Sequence, residues 1–116
     1  TAIIEREGQI LATIRKDHCG CPETFRCYQG MADFSWDNET DAPLLYEAEA
    51  VHCCRERNRH FNNANGDQVA SSHELCCNDP CCGADEYVLD CAPGVHCAFL
   101  WAITIAIDDI TERRGG

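Results

Sequence analysis

At 116 residues the chain has the length of one ordinary domain, and with 45 % hydrophobic residues it can bury a modest core. Twenty acidic residues against nine basic ones leave a net charge of −11, which excludes binders of nucleic acid or of anionic membrane surfaces. Eleven cysteines in 116 residues fall within the roughly 8–10 % that marks a disulfide scaffold in a short secreted chain, and predict an oxidising, extracellular compartment.

The chain begins at Thr1 without an initiator Met or an apolar leader, as expected of a mature form whose targeting segment has been removed. Two apolar patches, Ala2-Ile3-Ile4 and Ile10 to Ile14, flank Gly8. Their β-branched content predicts a short hairpin or one long bent strand, with Ile10, Ala12 and Ile14 on one face. Cys19, Cys21 and Pro22 then make a turn, with Cys27 close behind. Residues 28–42 are polar and rich in turn formers, and predict a surface loop whose Phe34 and Trp36 cover part of the core. Asn38-Glu39-Thr40 is an N-glycosylation acceptor.

Asp41-Ala42-Pro43 opens a predicted helix, with Asp41 as N-cap and Pro43 in the first turn. Glu47 and Glu49 fall early and Arg55, Arg57 and Arg59 late, which suits a helix dipole. On such a helix Cys53 and Cys54 point about 100° apart and staple it to two partners. A second short helix is predicted from Asp67 or Ser71 to Cys77, followed by an acidic turn over 83–90 and another at Ala92-Pro93-Gly94. The most apolar run, Cys97 to Ile107, is too short to span a membrane. Its alternation of Phe99, Trp101, Ile103, Ile105 and Ile107 predicts a long central strand beside the N-terminal one.

Cysteine spacing organises this reading. Cys53-Cys54, Cys76-Cys77 and Cys81-Cys82 are neighbouring pairs. Adjacent Cα atoms lie about 3.8 Å apart, closer than a relaxed disulfide prefers, so each pair sends its sulfurs to two places. With Cys91 and Cys97, the segment from Cys76 forms a knot gathering distant parts of the chain. Eleven is odd, so at least one sulfur stays free, binds a metal or joins another molecule.

Other constellations carry less. His18, His52, His73 and His96 lie next to or near cysteines, but the common Cys-x-x-Cys spacing of zinc sites is absent. Asp37 to Asp41 and Asn63 to Asp67 are oxygen-rich loops that calcium could use, without EF-hand spacing. Cys53-Cys54 is followed by Arg55-Glu56-Arg57-Asn58, lacking the His-Asp pair that activates water in secreted phospholipases A2. No catalytic residues emerge, and no cofactor is implied. Arg55, Arg57 and Arg59 form the one basic cluster in an acidic chain and, with Phe34 and Trp36, are candidate partner-binding residues.

The sequence therefore predicts a single secreted domain over residues 1–116. Its expected class is α+β: a small disulfide-rich domain with a sheet of the N- and C-terminal strands and one to two helices stapled over it. All 11 cysteines are disulfide candidates: Cys19, Cys21, Cys27, Cys53, Cys54, Cys76, Cys77, Cys81, Cys82, Cys91 and Cys97. The expected function is non-enzymatic: a subunit of a self-assembling extracellular structure, partnered by copies of itself or another extracellular protein. The alternative is a monomeric secreted signal, inhibitor or toxin acting through loops 28–42 and 62–67, with ten cysteines paired internally and the eleventh buried. A metal-binding secreted enzyme comes third.

Overall fold

Period-two alternation governs far more of this chain than its helix signals suggested. The computed structural model describes residues 1–16, 23–34, 40–52, 55–74 and 87–115, and the backbone alone at 52, 55–57, 74, 87 and 111–115. Among these residues seven strands form one antiparallel meander: β1 (Ala2–Arg6), β2 (Gln9–Lys16), β3 (Thr24–Gln29), β4 (Leu44–His52), β5 (Arg55–Asn63), β6 (Gln68–Glu74) and β7 (Tyr87–Cys91). Each strand pairs with its sequence neighbour, in the order β1 to β7, and the sheet curls into a half-barrel. The one helix among the described residues, α1 (Cys97–Gly115), follows β7.

The first hairpin forms because Glu7 and Gly8 both adopt positive φ, 52° and 80°, the two-residue turn whose twist matches that of the flanking strands. Opposed residues of an antiparallel sheet point to the same side, so the register defines the inner face. One row runs Ala2, Ile14, Cys27, Tyr46, Asn63. The next runs Lys16, Phe25, Ala48, Phe61, Ala70, Cys91, alternating large and small in its middle. Ile14, Phe25 and Phe61 are fully buried. Against them α1 lays Leu100, Ile103, Ile107 and Ile110, spaced three and four apart on one stripe. The helix lies nearest β1 and β2, and its Phe99 ring meets Tyr46 at 6.0 Å.

The expected class of a small disulfide-rich domain, with helices stapled over a sheet of the terminal strands, is thus overturned by a seven-stranded half-barrel with one C-terminal helix. The segment predicted as a helix from Asp41 onward is the β4 and β5 pair. Tyr46, Ala48 and Ala50 alternate inward on β4, as Arg59 and Phe61 do on β5. Glu47, assigned to a helix dipole, instead meets Arg26 Nε across the sheet at 3.2 Å. Of the expected second helix, Gln68–Glu74 is β6, and 75–77 lie outside the described residues. Conversely, the predicted C-terminal strand is α1, where Trp101 and Ile105 face solvent while residues three and four apart are buried.

His96 fixes where that helix starts. Its Nδ1 accepts from the Phe99 N–H at 3.2 Å, and its carbonyl accepts from the N–H groups of Phe99 and Leu100. No helix among the described residues is long and apolar enough to cross a membrane.

Candidate functional site

A meander sorts its connections between two ends of the sheet. The turns after β1, β3, β5 and β7 lie at one, which we term the loop end. The termini Lys16, Glu23, His52, Arg55, Glu74 and Tyr87 lie at the other. In sequence, Cys19, Cys21, Cys53, Cys54, Cys76, Cys77, Cys81 and Cys82 fall between those termini. They lie outside the described residues, as do Trp36 and Asn38 and the side chains of Arg55 and Arg57.

The loop end holds an open depression of about 570 Å³, lined by Gln29, Met31, Asp33, Thr40, Asp41 and Pro43 among others. Its floor is fastened to the sheet. The Gln29 N–H donates to the Pro43 carbonyl and that of Gly30 to the Leu11 carbonyl, both at 2.9 Å. Thr13, buried on the outer face of β2, donates its hydroxyl to the Gly30 carbonyl at 2.7 Å and accepts from the Ala32 N–H at 3.1 Å. One side chain thus holds both sides of the bend at Gly30, whose φ is +66°. A lone threonine in an apolar run gave no sequence signal of this role.

Phe34 folds back rather than covering the core. It meets Tyr28 edge-on at 5.4 Å, and the Arg15 guanidinium sits 4.3 Å over its ring. Asp33 and Asp41 are exposed at the rim, and among the described residues the lining contains no basic side chain. Beside it, in the turn after β5, Asn63 Oδ1 accepts from the N–H groups of Asn65 and Asp67 at 2.9 and 3.0 Å. The oxygen offered to calcium in the sequence is committed there to a turn. Among the described residues no three His, Cys, Asp or Glu side chains come together as a metal site.

At the opposite end the inner face turns ionic. Glu23 accepts from Lys16 Nζ at 2.9 Å and from an Arg59 terminal nitrogen at 3.2 Å. Arg59 is 5 % exposed and its guanidinium lies 5.5 Å from the Phe25 ring centroid. Its Nε is buried without a partner among the described residues. Of the predicted basic cluster, then, Arg59 is internal and presents no charge to a partner.

The described thiols divide as sharply. Cys27 is 2 % exposed in the row between Ile14 and Tyr46, and burial pushes its thiol up to about 12. Cys91 and Cys97 are free thiols at the join of β7 and α1. No protein-family model matches the chain, and comparison with curated proteins and with solved structures gives no match.

Proposed function

We propose that this chain is a non-enzymatic extracellular binding protein that acts as a single copy and holds a cationic partner, such as a Lys/Arg-bearing segment of another extracellular protein, at its loop end. The observation that carries the reading is the depression rimmed by Asp33 and Asp41 on a rigid sheet, within a chain of net charge −11. Loops held by a stiff scaffold are where binding residues concentrate. The buried thiol of Cys27 supports the single-copy form, because it accounts for the odd sulfur without a link between molecules.

A second reading, assembly of copies, is favoured by a different observation. Among the described residues the sheet ends in unpaired edges at β1 and β7, and α1 exposes Trp101 and Ile105 one turn apart. Light scattering across a concentration series, with and without reductant, separates the two. A constant monomer mass supports the first reading, and mass that grows with concentration supports the second.

The loop end is tested with an oligo-arginine peptide. Binding is expected to weaken with added salt, and Asp33→Asn and Asp41→Asn each to weaken it by roughly two- to fivefold, the range for exposed ion pairs. Unchanged affinity in the double variant would remove this site.

A further inference from the structure

The connection between β7 and α1 is built to a fixed shape. Ala92-Pro93-Gly94-Val95 forms a tight turn in which the Val95 N–H donates to the Ala92 carbonyl at 3.2 Å and Gly94 takes φ +85°. Proline second and a positive-φ glycine third is the sequence this type of turn demands. The Ala92 N–H is tied to the Val69 carbonyl at 2.8 Å, and His96 caps the helix that follows. The turn therefore has little freedom left, and it carries a thiol on either flank. Cys91 is the last residue of β7, opposite Ala70 on the inner face and half-buried against the core. Cys97 is the first residue of α1 and is exposed. The two thiols lie near enough to each other for Cys97 to influence the charge on Cys91.

We propose that Cys91 and Cys97 are partners in an intramolecular disulfide that ties the outermost strand to the first turn of the helix. The exposed Cys97 thiolate attacks a low-molecular-weight disulfide such as oxidised glutathione, whose S–S bond breaks to give a mixed disulfide and one free thiolate. The Cys91 thiolate then attacks Cys97 Sγ and displaces the second small thiolate. Two protons leave the protein thiols, and two electrons reduce the oxidant to two thiols. Partial burial first, then the nearby Cys97 thiol and the charge of Asp90, push the Cys91 thiol up to about 11. The small thiolate fraction of Cys91 at neutral pH slows this second step.

The proposal is tested on the whole chain, incubated with oxidised glutathione, alkylated, and cleaved after Glu86 and Glu112. The peptide 87–112 contains only these two cysteines. It should carry no alkyl group and be two hydrogens lighter than its reduced form. Recovery with two alkyl groups, or joined to another peptide, overturns the assignment. As a second readout, oxidation should raise the melting temperature of the native chain more than that of Cys97→Ser. A difference of roughly 5–10 °C is expected for so short a loop. Equal shifts in the two proteins would show that no such tie forms.

Discussion

The inner face of the half-barrel has two halves that obey different physics. Under α1, Ile14, Cys27, Leu100, Ile103 and Ile107 meet as apolar surfaces, and each contributes in proportion to what it removes from water. Toward the opposite end, Lys16, Glu23 and Arg59 are held in the same sheet by charge, with Glu23 shared between two cations. The apolar half degrades gradually when trimmed. The ionic half fails by whole charges, because removing one member strands another away from water.

The largest effect should follow from breaking the ionic half. Glu23→Ala leaves the buried Arg59 without its counter-charge and is expected to destabilise the fold by about 3–5 kcal/mol in urea unfolding. Replacing both residues, as Glu23→Met with Arg59→Met, should recover most of that loss, since a stranded charge rather than a missing attraction causes it. A double variant as weak as Glu23→Ala would erase the distinction between the halves.

Next in size is an alkaline effect confined to the apolar half. The Cys27 thiol is raised from an ordinary 9.0 to about 12, so the folded state keeps a proton that the unfolded chain loses. Its contribution is complete below pH 9 and is lost as pH rises toward 12, at about 1.4 kcal/mol per pH unit. The stability advantage of the native chain over Cys27→Ala, constant below pH 9, should therefore shrink as pH rises from 9 toward 12. A constant offset would mean that Cys27 does not ionise against a buried environment. Smallest is Ile103→Val, expected to cost about 1 kcal/mol, with no change in the response to salt or pH.

Legibility from sequence followed how local each signal was. The β1–β2 hairpin could be read because its turn and both apolar patches lie within 14 residues. The β4–β5 pair was misread as a helix because Pro43, the early acids and the late arginines imitate a capped helix. Those charges answer to neighbours across the sheet, as Glu47 does to Arg26 and Arg59 to Glu23, 36 residues away. In α1 both periods coexist. Ile103 and Ile107 fit an alternating strand and a helical stripe equally well, and the β-branched residues weighted the choice toward strand. Burial of Leu100 and Ile110 with them selects the helix, and that burial depends on a sheet assembled from distant segments. Of the candidate site, a loop within 28–42 was expected from its turn formers, whereas Asp33 had no assigned role and Asp41 was read as a helix N-cap. Thr13 beneath it and the inward position of Arg59 were not legible, because each is fixed by strand register rather than by neighbours in sequence.

The single-copy account rests most directly on the sulfur inside the core. Native protein treated with a thiol reagent at neutral pH, then unfolded without reductant and treated with a second, distinguishable reagent, should carry only the second label at Cys27. Labelling of Cys27 in the native state, or its recovery in a disulfide with another chain, would contradict the account.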